Sequence, residues 1–165
     1  MKVIKQLINI LLNISVFLLI FLMVLNFMSN PSSSGLFGLK GYSVLSNSMQ
    51  PTFSAGDYLI DYQTAYEDLK EGDVITYLLD NGIIVTHRIT AETSDGFVTQ
   101  GDANEFADDM PVTKEAYIAQ YRFHIPYLGQ LLIGLSQPIA FITLIFILAI
   151  YLLGIYLSNR HLEEN

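Results

Sequence analysis

Two stretches of the chain contain no charged residue: 7–28 (LINILLNISVFLLIFLMVLNFM) and 139–157 (IAFITLIFILAIYLLGIYL). Each is about 20 residues long, the length an α-helix needs to cross roughly 30 Å of hydrocarbon. Their apolarity runs round every face, whereas a helix on the surface of a core would show one apolar stripe. A buried core helix is the alternative for the second stretch and a cleaved secretory signal for the first. The first run is longer than the usual signal core of about 7–15 residues, and no A-x-A-like site follows it. The pattern therefore predicts membrane spans at 7–28 and 138–158. Short flanks, 1–6 and 159–165, lie outside them, and a domain, 29–137, lies between.

Between the spans the period changes from helical to two. A Ser/Pro/Gly connection, 29–35, leads to a short apolar patch, 36–39, suited to the lipid surface. Runs rich in β-branched and aromatic residues predict strands at 42–46, 57–62 and 73–79. Asn81-Gly82 then signals a hairpin, with a type I′ turn expected because both residues tolerate positive φ. The return strand, 83–90, alternates: Val85, His87 and Ile89 share one face, and Thr86, Arg88 and Thr90 the other. Asp95-Gly96 marks a second hairpin into 97–100. A polar loop, 101–110, and a strand-like stretch, 116–123, complete the domain. There is no internal repeat and no long amphipathic helix between the spans. The expected fold is mainly β, a small antiparallel domain flanked by N- and C-terminal transmembrane helices.

Charge orients this arrangement. Lys2 and Lys5 precede the first span and Arg160 follows the second, which places both termini in the cytoplasm. The intervening 29–137 carries 14 Asp and Glu against 5 Lys and Arg. So acidic a domain repels nucleic acid, and its expected place is outside the cytoplasm. The absence of cysteine removes disulfides and thiolate zinc sites. Three histidines without ligand spacing predict no metal site, and no cofactor is expected.

The remaining candidates for chemistry are few. Ser48 lies in a Ser-x-Ser turn, a common enough arrangement without function. A serine hydroxyl attacks only when a base takes its proton and something orients that base. His87, on the inward face of its strand, needs a polar partner there, and taken alone such a histidine is more often a satisfied structural residue than a base. The loop 101–110 supplies Asp102, Asp108 and Asp109, and acidic loops as a class are usually solvated turns.

Together these segments resemble the boxes of type I signal peptidases. Leu45-Ser46-Asn47-Ser48-Met49-Gln50-Pro51, followed by Gly56-Asp57, resembles the nucleophile box, and Glu71-Gly72-Asp73-Val74-Ile75 the second box. Val85-Thr86-His87-Arg88-Ile89 resembles the base-bearing box of the endoplasmic-reticulum and archaeal branch, in which histidine replaces lysine. Gly101-Asp102-Ala103-Asn104, with Asp108 six residues past Asp102, resembles that branch's acidic box, and Ile125-Pro126-Tyr127-Leu128-Gly129 its closing segment. The likeness covers about 40–130, and five boxes in order are far more specific than any one.

The resemblance implies a membrane-bound serine endopeptidase that removes signal peptides from exported preproteins. Ser48 is then the nucleophile, His87 the general base and Asp108 the carboxylate that orients the imidazole. Asp102 is a second acidic residue holding the loop or the histidine. The Ser48 N–H, helped by the Ser46 hydroxyl, is the expected oxyanion donor. Asn47 departs from the family's usual glycine, and Gln50 from its usual glutamate. Small side-chain pockets for the substrate are expected near Met49, Phe53 and 42–45. The implied partners are signal peptides, the bilayer and the protein-translocation machinery. Lys40, Lys70 and Lys114 are the candidates for a Ser–Lys dyad instead. Lys70 and Lys114 lie in polar stretches and Lys40 beside a glycine in a presumed loop, whereas a catalytic lysine must be desolvated. Two rivals remain: a self-cleaving repressor-type peptidase, and a non-enzymatic membrane-tethered β-domain that binds or assembles secreted partners.

Overall fold

The computed structural model describes residues 2–135 and residue 146. The chain divides into two units, Met1–Gln130 and Leu131–Asn165, and the candidate site lies wholly in the first. Helix α1 (Lys2–Met28) covers the first apolar stretch and exposes apolar side chains at successive positions, among them Leu11, Leu12, Ile14, Phe17, Leu18 and Ile20. Among the described residues no helix is long and apolar enough to cross a membrane. The second predicted span, 138–158, and the tail, 159–165, lie outside the described residues apart from Phe146.

Six strands form one antiparallel sheet: β1 (Leu39–Ser43), β2 (Tyr58–Tyr62), β3 (Val74–Leu78), β4 (Ile84–Thr93), β5 (Gly96–Gln100) and β6 (Tyr117–Ile125). Their order is β1-β2-β6-β3-β4-β5, so the last strand inserts between the second and third. A short helix, α2 (Leu128–Leu135), follows β6. Register shifts at Ile60/Asp61, Thr76/Tyr77 and Ile89/Ala91 interrupt three of the ladders, and such bulges bend a strand and re-aim its side chains.

The strands differ from the expected bounds in two informative places. The first begins at Leu39, ahead of Tyr42, because Leu39 to Ser43 pair residue for residue with Tyr62 to Tyr58. The hairpin between β3 and β4 forms around Asn81-Gly82, but not as a type I′ turn. Leu79 N–H bonds the Ile83 carbonyl and Gly82 N–H the Leu79 carbonyl, leaving a three-residue loop. Only Gly82 has positive φ, +82°, while the Asn81 side chain accepts the Ile83 N–H. Asn81 thus serves through its side chain rather than its backbone.

Alternation along β3 divides the core. Ile75 and Tyr77 face a cluster with Leu69, Ile89, Phe97 and Val112, and Val74 faces the other way, toward Met49, Phe53 and Leu59. Burying each such side chain stabilises the domain by about 1.5–3 kcal/mol.

A polar seam runs through the sheet. Asp61 is fully buried, accepts a 2.6 Å hydrogen bond from Thr76, and stands opposite Lys40 in the β1–β2 register. Its second oxygen is buried with no hydrogen-bond partner among the described residues. Burial pushes the Asp61 carboxyl up to about 7, against the Thr76 hydrogen bond and the Lys40 charge. Lys40 is not in a loop, as its neighbour Gly41 suggested. It lies on β1, fully buried, with Nζ donating to the carbonyls of Asn30 and Pro31 just past α1. Ser29 reinforces that joint, donating to the Leu25 carbonyl and accepting the Gly41 N–H.

Candidate active site

The segment between β1 and β2 is held by a dense set of local bonds. Asn47 accepts the Ala55 N–H through its side chain and the Gln50 N–H through its carbonyl. The Asp57 carboxylate accepts the Ser54 N–H, and Val44 bonds both Gly56 and Asp57 through the backbone. Asn47 has no positive φ, so replacing the family's glycine there leaves the turn unstrained and adds a side-chain tie. Met49 and Phe53 plug the segment into the core. Between these anchors the half-buried Ser48 is presented to β4.

His87 is buried on β4, on the face of Tyr77 and Ile89. Its Nε2 is 3.1 Å from Ser48 Oγ, and its Nδ1 is 2.8 Å from Asp108 Oδ2. Asp108 follows β5, fixed by its N–H on the Thr99 carbonyl. Burial works to raise its pKa, but hydrogen bonds from Thr99, His87 and Tyr77 outweigh that and hold the carboxyl below its ordinary value. An ionised carboxylate only accepts, so the imidazole donates from Nδ1 and turns a bare Nε2 toward the serine. Ser46 Oγ lies 3.2 Å from Ser48 Oγ on the other side. The Ser48 N–H makes no hydrogen bond within the described residues.

Asp102 does not touch the histidine. Arg88, next to His87 in sequence but on the opposite face, grips it with Nε and Nη2, each at 2.8 Å, and Thr52 donates to the same carboxylate. Arg88 also donates to the Gly72 carbonyl. These bonds join the Ser48 segment, β4 and the acidic loop. The Arg88 hydrogen bonds, opposed by burial, hold the Asp102 carboxyl below its ordinary range. Asp109 is exposed and makes no hydrogen bond or ion pair among the described residues.

None of the three lysines bonds Ser48. Lys40 points to the end of α1, Lys114 pairs with Glu67, and Lys70 is exposed. Two partners of the site were missed in the sequence: Tyr77, whose hydroxyl donates to Asp108 at 2.7 Å, and Thr99, which donates at 2.6 Å. Their signal was present in the alternation, since a β3–β4 hairpin places Tyr77 on the face of His87.

Comparison with known proteins follows the same outline. The chain is 40% identical over 110 residues to signal peptidase I W of Bacillus subtilis, covering 63% of this chain and 58% of that protein. It is 30% identical over 112 residues to the signal peptidase complex catalytic subunit SEC11 of Candida albicans, covering 59% and 66% respectively. To the catalytic subunit SEC11C of Canis lupus familiaris it is 31% identical over 134 residues, covering 67% of this chain and 69% of that one.

The chain belongs to the type I signal peptidase family.

No protein-family model matches it. Against the Bacillus and Candida signal peptidases it spans less than two thirds of the relative's length.

Proposed function

We propose that this chain is a membrane-held serine endopeptidase that removes signal peptides from exported preproteins. The observation that carries the proposal is the line Ser48 Oγ, His87 Nε2, His87 Nδ1, Asp108 Oδ2, with gaps of 3.1 and 2.8 Å. Ser48 attacks the scissile carbonyl as its proton passes to His87, and Asp108 stabilises the imidazolium that results. The Ser48 N–H and the Ser46 hydroxyl receive the developing oxyanion. His87 then gives its proton to the leaving amine, and water repeats the cycle on the acyl-enzyme. An extended substrate pairs with a strand edge, with small side chains seated near Met49, Phe53 and the start of the nucleophile segment.

The test is cleavage of a purified preprotein by the detergent-solubilised full chain. Ser48→Ala and His87→Ala each abolish cleavage to the same degree, since such groups act as a unit. Lys70→Ala and Lys114→Ala retain most of it. If Ser48→Ala and His87→Ala cleave like the parent, the serine mechanism is wrong; if the parent itself cleaves no preprotein, the chain is a binding or assembly domain.

The membrane attachment rests on the two apolar stretches. At 1.5 Å per residue, α1 extends about 40 Å, longer than a hydrocarbon core. With positive flanks inside, the β domain lies on the outer surface, where a signal peptide's apolar helix ends. A tag placed in the exposed loop at Asn81 is then cut by protease added to intact cells; protection of the tag refutes this orientation. The bilayer and the translocation machinery are the partners this topology implies.

A further inference from the structure

The carboxylate oxygen that meets the base is crowded. Oδ2 of Asp108 takes three donors: Thr99 Oγ1 at 2.6 Å, Tyr77 Oη at 2.7 Å and His87 Nδ1 at 2.8 Å. Tyr77 and Thr99 are themselves buried, so neither hydroxyl has water as an alternative partner. Tyr77 Oη also lies 3.4 Å from His87 Nδ1. With its one proton committed to Asp108, it can turn only lone pairs toward that nitrogen. Nδ1 thus faces two acceptors, and the tautomer with the proton on Nδ1 is enforced twice.

We propose that Tyr77 is a positioning residue for catalysis, acting through Asp108 to hold His87 in one tautomer and one orientation, with Thr99 as its assistant. This rests on the Ser48–His87–Asp108 reading above. Each hydroxyl pins the oxygen that receives the Nδ1 proton, so the ring is held with Nε2 bare and aimed at Ser48 Oγ.

The titratable and charged groups brought against His87 are Asp108 and Asp102 from the acidic loop, Tyr77 from β3 and Arg88 from its own strand. The Arg88–Asp102 ion pair is closed on itself at 2.8 Å. Asp108, and what shares it, therefore dominates.

Tyr77→Phe keeps the ring in the core and removes only the hydroxyl, and Thr99→Val does the same for its own. The experiment is kcat and KM measured separately for cleavage of one preprotein by the full chain, with Ser48→Ala as baseline and a melting curve for each variant. In both variants kcat per folded molecule falls while KM stays near the parent's, and for Tyr77→Phe the fall is about tenfold or more, within the range one proton-transfer element contributes. A structural role alone would lower the yield of folded enzyme and the melting point and leave kcat per folded molecule in place. If Ser48→Ala cleaves like the parent, the serine mechanism itself is wrong. If Ser48→Ala is dead but Tyr77→Phe and Thr99→Val keep the parent's kcat, only the role given to Tyr77 fails. Should Tyr77→Phe not fold, the kcat of Thr99→Val alone decides.

Discussion

Gly101 and Ser48 are in contact across the site: a Cβ on Gly101 would stand 2.6 Å from the Ser48 carbonyl oxygen. The same carbonyl accepts the Ala103 N–H at 2.8 Å, so the acidic loop is laid directly on the Ser48 backbone. Gly101→Ala must push that backbone aside. Misplacement of a reacting group by about 1 Å can cost on the order of 10²-fold in rate, so a loss of kcat near that size is expected. A drop in stability of about 1–3 kcal/mol accompanies it. Initial rates and a melting curve on the same preparation check both.

Asp108→Asn and Asp109→Asn should separate sharply although the residues are adjacent. Asp108 accepts from His87, Tyr77 and Thr99; an amide there can reverse its orientation and hold the wrong tautomer, with losses up to about 10⁴-fold. Asp109 is exposed, and its change should leave the rate within a factor of about two, as for surface substitutions generally. Cleavage of one preprotein by both variants is the measurement, and a dead Asp109→Asn would move the acidic box by one residue.

Asp102→Asn should act on stability more than on chemistry. It removes the charge that Arg88 grips and the acceptor for Thr52. Hydrogen bonds to charged groups contribute about 1.5–3 kcal/mol each, and partial exposure reduces that to about 1–2 kcal/mol here. The expected signature is a melting point several degrees lower, with kcat reduced far less than in Asp108→Asn. Arg88→Met should give at least that fall, since it also loses the bond to the Gly72 carbonyl, and adding Asp102→Asn to it should lower the melting point little further.

Stability should depend on pH in an unusual sense because of Asp61. Its folded-state pKa, about 7, lies above the unfolded value of 3.8. Between these values the folded chain holds a proton that the unfolded chain has released, so stability falls as pH rises from about 4 to about 7 and is level above that. Asp102 and Asp108 have depressed pKa values and act oppositely: their contribution is present above the unfolded pKa and lost as pH falls through the folded one. The maximum should therefore lie on the mildly acidic side. Asp61→Asn should abolish the slope and raise stability at neutral pH by roughly 2–4 kcal/mol. Denaturant midpoints taken from pH 4 to 8 test this, and a parent profile flat over that range would refute it.

Much of the sheet was legible because its signals are local. Alternation placed His87 on the inward face of its strand, and turn residues placed both hairpins, since period and turn chemistry act over a few residues. The type of the first turn was not legible, because Asn81 has two ways to serve a turn and only the register of β3 with β4 selects its side chain. Lys40 was misread as a loop residue for a similar reason: its burial depends on Asp61 across the β1–β2 ladder and on carbonyls at the end of α1. Asp102 and Asp108 stood out as candidates, but which of them meets the histidine is decided by Arg88 and Tyr77, on other strands. Long-range pairing, absent from any window of residues, carries that information.

The insertion of β6 between β2 and β3 makes the site a product of closure across the sheet. Ser48 belongs to the half of the sheet built from β1 and β2; His87 and Asp108 belong to the half built from β3, β4 and β5. Among the described residues, the backbone ladder joining the halves is Tyr117–Ile125, which pairs with β2 on one side and β3 on the other. The loop bonds to Ser48 and Asp102 latch the halves together but do not pair their strands. The 3.1 Å approach of Ser48 Oγ to His87 Nε2 therefore depends on a strand that carries none of the three groups.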